Sequence, residues 1–416
     1  MIRSSALYVS LIISIFIALV CGSILLAGFV YKMQESKIKR GEMLLRNAAS
    51  ASVLVMQDSI AYGSVKHIKL FDDQNETGDS VTIEKRQWGL YELGLVVSFK
   101  NTDSVKRAFL IGSSLKDSAM ALYIADEDRP LSISGKSRIQ GVAYLPKSGI
   151  KSAYVESSYY EGKQLVFGRT GESSRELPLP DTNMINGFKD LLSASNYPRE
   201  EDLPESLSYS FFLPVKRIHL PINQPLISNK RISGNIIISS DSLIQVESSS
   251  KLDKVILVAP YVKISSGFKG SLQVIASDSI SIGPSVQLTY PSALVLIKPD
   301  TAGFQPKISI GKNSVLRGQA FAWEKQRSQM MPIIEIGHGA IIKGEIWSKG
   351  YVQLGKSSLI NGSVSAIHLM ANISSIKYEN YLIDAIINRD GLSKYYTGSK
   401  LFNSAHKPGS ILWHLH

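Results

Sequence analysis

Three segments between Ile308 and Ala366 can be laid on one another, and they restrict the fold more than any other part of this 416-residue chain. Ile308-Ser309-Ile310-Gly311 is followed by Val315-Leu316-Arg317-Gly318. Ile334-Glu335-Ile336-Gly337 is followed by Ile341-Ile342-Lys343-Gly344, and Val352-Gln353-Leu354-Gly355 by Leu359-Ile360-Asn361-Gly362. Each unit alternates with period two, the mark of a short strand, and runs into a glycine that a tight corner can use. A second glycine falls seven residues after the first, and Gly337 and Gly355 are 18 apart. That length suits one coil of a solenoid, which stacks because a single coil cannot bury its apolar edge alone. The expected architecture is mostly β, with a single-stranded parallel β-helix as its main body.

The same rhythm spreads beyond the three units. Leu131-Ser132-Ile133-Ser134-Gly135 leads into Arg138-Ile139-Gln140-Gly141, and Arg231-Ile232-Ser233-Gly234 restarts the pattern after a gap. Ile280-Ser281-Ile282-Gly283 continues it. The expected turn glycines are Gly135, Gly141, Gly234, Gly283, Gly311, Gly318, Gly337, Gly344, Gly355 and Gly362. The wider step from Gly311 to Gly337 calls for one loop, Glu324 to Met330, bulging from a corner. Residues 131–372 form the expected β-solenoid, interrupted by an insertion over 151–230 with prolines and the acidic run Glu200-Glu201-Asp202. An insertion of that length serves either partner recognition or as a cover for an open end. Direct stacking of the coils on either side of it is expected. Tyr378 to Ile387 has helical spacing, so a capping helix is expected within 373–416 to shield the last edge.

The N-terminal part has a different grammar. A tail of residues 1–5 precedes an uncharged apolar run over 6–31, longer than the roughly 20 residues a bilayer requires. The apolar core of a cleavable signal peptide is shorter, so an uncleaved single-pass anchor is expected. A helical stalk over 32–60 should continue it, with Ile38, Leu45, Ala49 and Val55 on one side. Lys32, Lys37, Lys39, Arg40 and Arg46 follow the span and only Arg3 precedes it, which by charge alone places the body in the cytoplasm. Large domains translocate with little regard to charge, and the Ser-rich, cysteine-free body suits export. An extracytoplasmic body is the expectation, a cytoplasmic one the alternative. Residues 61–130 read as a small β-rich module, with Val81-Thr82-Ile83, Leu93 to Val97, Ala108 to Ile111 and Ala121 to Ile124 as strands. Polar breaks such as Asp72-Asp73-Gln74-Asn75 separate them, and Trp88-Gly89-Leu90-Tyr91-Glu92 supplies core aromatics.

Chemistry is sparsely signalled. Cys21, the only cysteine, lies in the apolar run, which excludes a disulfide framework and a thiolate metal site. The chain has no phosphate loop ending in Gly-Lys-Ser/Thr, no His-Glu-x-x-His and no Gly-x-Ser-x-Gly, and no cofactor is implied. Glu335 and Glu345 are a carboxylate pair that could fall on neighbouring strands. The net charge of +11 favours anionic neighbours such as lipid headgroups or acidic polysaccharide. Aromatics are not interleaved with basic clusters as nucleic-acid binders require.

Three families share pieces of this pattern. The membrane helix running on as a stalk before a β-rich head resembles type IV pilins and pseudopilins, over about sixty residues and without the prepilin peptidase signature. Ile336-Gly337-His338-Gly339-Ala340-Ile341 looks like a unit of the hexapeptide-repeat acyltransferases, as do Ile310 to Val315 and Leu354 to Leu359. That resemblance implies His338 as a corner general base, although no run of consecutive hexapeptides follows. The texture of Ile232 to Ala366 is similar to that of bactofilins, cytoskeletal β-solenoids without catalytic residues. The combined expectation is a membrane-anchored scaffold or assembly protein of the cell envelope, with lipid and protein partners or self-association and no catalysis. A pilin-like secretion subunit and a solenoid that binds or modifies polysaccharide are the rival readings.

Overall fold

The computed structural model describes residues 3–57, 60–70, 80–114, 120–155, 158–193, 203–300, 303–373, 376–402 and 409–415. The Asp72–Asn75 break and the Glu200–Asp202 run lie outside the described residues. The chain divides into two compact units, Met1–Lys85 with Gly94–Arg107, and Arg86–Leu93 with Ala108–His416.

The first unit is organised by one unbroken helix, α1, Arg3–Val55. Its N-terminal half is apolar, exposed and long enough to cross a membrane. Ser10, Ser14 and Ser23 donate their hydroxyls to the carbonyls of Leu7, Ser10 and Val20 at 2.8–2.9 Å, so none presents an unsatisfied donor to an apolar surround. The C-terminal half buries Leu44, Asn47, Ala48, Ala51, Ser52 and Val55. The expected face is corrected in part: Val55 is buried, but Ile38, Leu45 and Ala49 are exposed, and the packed stripe runs through Leu44, Ala48, Ala51 and Val55. Val65–Ile68 and Ser80–Trp88 pair antiparallel, and Arg40 Nε reaches Asp103 Oδ2 at 3.1 Å.

In the second unit parallel strands stack in three columns, and strands that turn a corner, such as Lys251–Ile264, join one column to the next, so the pairing closes round the core while the stack itself keeps two ends. In one column Ile227, Val246, Ile264, Ile282, Ile310, Ile336 and Leu354 lie in register. In a second, Leu288, Leu316, Ile342, Ile360, Ile387 and Ile139 do. The third aligns Ile218, Ile238, Leu257, Val274, Leu294, Ala320, Ile346, Val364, Leu122 and Ala143. Together these side chains make one buried core. Branched aliphatics fill it because each must fit against its own kind about 4.8 Å above and below. The corner loop from Glu324 lies between Val315–Trp323 and Ile333–Ile336, where the spacing required it.

The rungs are not stacked in chain order. Leu359–Ile373 pairs with Met120–Ile124, which pairs with Val142–Leu145, which pairs with Thr170–Glu172. The early segment thus extends the far end of the ladder. Residues Ser206–Tyr209, Lys216–Leu220 and Leu226–Ile227 are themselves rungs, at the opposite end, paired to Arg231–Ser240 and Leu243–Val246. Two expectations are overturned by this: 151–230 is not one loop insertion, and the coils flanking it do not stack on each other. Ten inter-strand steps separate Lys216–Leu220 from Thr170–Glu172, roughly 48 Å at ordinary strand spacing. Between them, helix α2, Thr182–Ser193, packs on Lys251–Ile264 and Lys269–Ile282 through buried Met184, Ile185 and Phe188.

Among the described residues after 373 the expected capping helix is likewise absent. Ile376–Glu379 pairs antiparallel with Leu359–Ile373, whereas Tyr381–Ile383 pairs parallel with Leu131–Ser134 and Ile386–Asn388 parallel with both neighbouring rungs. Helical spacing of apolar residues loses to edge pairing here, because the last strand's amides need partners and Leu382, Ala385 and Ile387 complete the core. The final strand, Ser410–Leu415, pairs antiparallel with the Ala108–Gly112 stretch.

The ten turn glycines separate into two kinds. Gly135, Gly141, Gly234, Gly318, Gly344 and Gly362 have positive φ. Gly283, Gly311, Gly337 and Gly355 do not, and the left-handed corner falls two residues later, on Ser285, Asn313, Gly339 and Ser357. Gly337 is glycine for another reason: a Cβ there would stand 2.8 Å from the Ile310 carbonyl oxygen of the rung before. Gly344, with φ 152°, combines both demands, since its Cβ would fall 1.8 Å from the Gly318 carbonyl oxygen. Gly344→Ala is expected to destabilise the second unit by about 2–4 kcal/mol, more than Gly337→Ala, which carries the contact alone. Denaturant unfolding of the two variants gives the order, and equal midpoints for Gly344→Ala and the parent would refute the tight glycine column.

Candidate functional site

Lys216–Leu220 and Arg231–Ser240 are adjacent parallel rungs, and their register sets His219 directly beside Ser239. Side chains opposite one another in a ladder leave the same face, so the pairing itself brings imidazole and hydroxyl together. His219 Nδ1 and Ser239 Oγ are 3.2 Å apart. Asp241 lies just past the end of that strand, and its Oδ2 is 3.3 Å from His219 Nε2. The Ser239 hydroxyl has two acceptors in reach, the Ile218 carbonyl at 3.5 Å and, in the tautomer whose Nε2–H is donated to Asp241, His219 Nδ1 at 3.2 Å. The next residue in this column, Val258, is buried and apolar.

These three residues line a groove of about 420 Å³ where the C-terminal turn of α2 meets the ladder. Leu191, Leu192 and Ser193 form one wall, Val258, Ala259, Pro260 and Ile297 another, and Lys189, Lys298 and Asp300 add charge. Lys189 lies over the Trp323 ring at 4.8 Å, which holds the last turns of α2 to the ladder. Lys298 and Glu324 are a buried ion pair at 3.6 Å. The ammonium of Lys298 also donates to Ser328 Oγ and the Met330 carbonyl, both at 2.7 Å, and Glu324 accepts from Ser328 at 2.7 and 3.2 Å. Such a network repays desolvation only when its polar atoms are satisfied, and it pins the corner loop beneath the groove.

A second polar cluster is enclosed rather than open. Gln319 and Glu345 are in-register neighbours, and Gln319 Nε2 donates to Glu345 Oε2. The Ser399 amide donates to Gln319 Oε1 at 3.1 Å, which fixes the orientation of the Gln319 amide. Burial pushes the Glu345 carboxyl up to about 7, against the smaller opposing effect of the Gln319 hydrogen bond. Tyr91, Tyr290 and Tyr396 surround it, and burial pushes all three phenols up. Tyr290 donates to the Thr397 carbonyl at 2.8 Å and Tyr396 to the Gly318 carbonyl at 3.3 Å. This cluster braces the C-terminal segment against the ladder. Nearby, Gln273 accepts from the Leu90 amide at 2.7 Å and donates to the Trp88 carbonyl at 3.1 Å, closing the turn that the central aromatics form.

Residues singled out by sequence fare unevenly. Glu335 and Glu345 do not meet: Glu335 pairs with Lys307 at 2.5 Å on one column, and Glu345 is enclosed on another. His338 stands exposed at its corner, and among the described residues its ring has no hydrogen bond or ion pair. Among the described residues no group of three or more His, Cys, Asp or Glu has the geometry to hold a metal ion. His219 escaped sequence reading because it lies in the stretch taken for an insertion, and Ser239 reads as an ordinary outward strand residue. The one available signal was the agreement of Arg217-Ile218-His219-Leu220 with Ile237-Ile238-Ser239-Ser240, which places His219 over Ser239. Comparison with protein-family models, curated proteins and solved structures finds no match to this chain.

Glu345 predicts a pH dependence with a definite sign. Its folded value of about 7 lies above that of an unfolded carboxyl, so the folded state binds the extra proton between about pH 4.5 and 7. Stability from this group is complete below about pH 4.5 and is lost as pH rises through about 7. Glu345→Gln should therefore flatten that part of the stability curve and raise stability at pH 8, by a few kcal/mol at most. Urea unfolding at pH 5, 6.5 and 8 measures it; identical curves for parent and variant would remove Glu345 as the cause. His338→Ala, by contrast, should leave the melting curve unchanged, because an exposed corner side chain contributes little packing.

Proposed function

We propose that this protein is a membrane-anchored scaffold of the cell envelope, with the parallel ladder working as a rigid solenoid and α1 as its anchor and stalk. The observation that supports it is the register-locked ladder, unbroken over ten inter-strand steps within one unit. A body of this kind resists bending, because a shift at one rung must be matched in every column. On this reading the working parts are surfaces: the faces left bare beside α2, the groove, and the basic band Lys32 to Arg46 near anionic headgroups. Protein partners or further copies of the chain, and anionic polysaccharide, are the expected ligands, with the body outside the cytoplasm.

A pilin-like subunit is the second reading, and the feature favouring it is α1, apolar in its first half and packed along a small-residue stripe in its second. The two part company on assembly: a pilin-like subunit is recovered in sheared surface filaments, a scaffold stays with the membrane fraction.

The topology has a direct test. An enzyme reporter active only outside the cytoplasm, fused behind His416, should be active, while a reporter active only in the cytoplasm should be silent. Basic residues after the span argue for the reverse, so the opposite pattern would move the body inside and reassign its partners.

A further inference from the structure

The groove holds an arrangement that a scaffold does not need. We propose that Ser239 is an activated nucleophile and that the groove hydrolyses short-chain carboxylic esters. Three observations converge. First, the hydroxyl of Ser239 and the imidazole of His219 are held at 3.2 Å by ladder register rather than by flexible loops. Second, the far nitrogen of the same ring meets Asp241 at 3.3 Å, which selects the tautomer whose Nδ1 can take a proton. Third, the group opens into a cavity of about 420 Å³ with an apolar wall, in the size range of small-molecule sites. A polar ladder pair on a bare surface would have the first feature alone.

The chemistry balances with water as the only co-reactant. Ser239 Oγ attacks the ester carbonyl carbon while its proton passes to His219 Nδ1. The tetrahedral oxyanion then collapses, the bond to the alcohol oxygen breaks, and the imidazolium returns the proton to the leaving alkoxide. Water, deprotonated by the same nitrogen, attacks the acyl-serine, and the acid leaves with Ser239 regenerated. Ser239 and His219 are the catalytic residues and Asp241 is a positioning residue. Strand amides around Ser239 are committed to the ladder on both sides, so they cannot serve as an oxyanion hole. Lys298 is committed to Glu324, Ser328 and Met330, so among the described residues Lys189, held over the Trp323 ring, is the lining cation left to face the developing oxyanion. The cavity has room for a small ester, and the apolar side chains of Leu191, Leu192 and Val258 offer contacts to its acyl group.

The test uses the full chain in detergent and an alkyl fluorophosphonate, which phosphonylates an activated serine with loss of fluoride. The expected result is one phosphonyl group per chain, mapped by mass spectrometry to Ser239 and absent from Ser239→Ala. His219→Ala should slow labelling by about 100-fold or more. Asp241→Asn should slow it about tenfold or more, with Asp241→Glu recovering most of the rate, a rescue that a purely structural role would not give. The native protein should release 4-nitrophenolate from the acetyl or butyryl ester and not from the palmitoyl ester, and Ser239→Ala should not. Where His219→Ala alters the melting curve, His219→Gln replaces it. Labelling no faster than in heat-unfolded protein, a label on another residue, parent-like labelling of a folded His219 variant, or no turnover of either short ester would overturn the proposal. None of those outcomes touches the scaffold reading, which stands or falls on membrane topology and partner recovery.

Discussion

The parallel hydrogen-bond ladder is the constraint from which the rest of the second unit follows. Once a rung is fixed, the next must lie about 4.8 Å away with its side chains directly over those below. The core is then not a pool of hydrophobic residues but three files of them, and each file sets the permitted size at every position. Where backbone crosses backbone at a corner, the permitted size falls to nothing. Gly318, Gly344 and Gly362 lie in register for that reason, each with the carbonyl oxygen of the rung before it occupying the place of a Cβ. At the other corner Gly311, Gly337 and Gly355 are excluded from carrying a Cβ by the same crowding, without a left-handed φ.

A ladder has two ends, and both expose unpaired amides and carbonyls. The chain solves one end with its own early segment. Met120–Ile124 and Arg138–Gln140 join rungs formed by residues more than two hundred positions later, and Ile376–Glu379 turns back antiparallel beside them. The third column is also apolar on its outer side: Ile256, Ile275, Val295 and Phe321 are buried there. Helix α2 covers that side, with Phe188 near Phe321 at 6.5 Å between ring centroids. The segment between the two ladder ends therefore covers a face that the strands alone would have left greasy.

Rung identity was legible in the sequence and rung order was not. Period two, the 18-residue step and the loop after Trp323 are local facts, written in consecutive residues such as Ile334-Glu335-Ile336-Gly337. Which rung lies on which is a matter of long-range packing, and Ile139 fits on Ile387 or on Ile232 equally well by composition. Helical spacing at Tyr378 to Ile387 misled for a related reason: five apolar positions in ten satisfy a helix or a broken run of strands, and only the open edge decides. The stalk shows the limit of hydrophobicity as a guide, since Leu45 is exposed while Ala48 and Ala51, too small to stand out, make the packed stripe. Of the candidate site, none of His219, Ser239 and Asp241 stands out in the sequence. Chemistry made by register cannot be seen until register is known.

That point also explains where a reactive group could arise in such a fold. Along much of the third column the outer side is buried, either as apolar residues such as Ile275, Val295 and Phe321 or as the enclosed polar file of Gln273, Gln319 and Glu345. Helix α2, Thr182–Ser193, lies over Lys251–Ile264 and Lys269–Ile282, and beyond these strands the outer column changes from Ile275 and Val258 to Ser239 and His219. Polar residues at that place satisfy solvent at the ladder's end, and for that purpose any pair of serines or lysines would serve. A histidine aligned over a serine, with a carboxylate on its far nitrogen, is a narrower choice than solvation demands. The strands fix the first two residues as rigidly as any catalytic scaffold does, and the last turn of α2 lines a cavity beside them. Rigid placement and access to substrate are the two conditions that reactivity needs, and within the third column they coincide at the cavity beside His219 and Ser239.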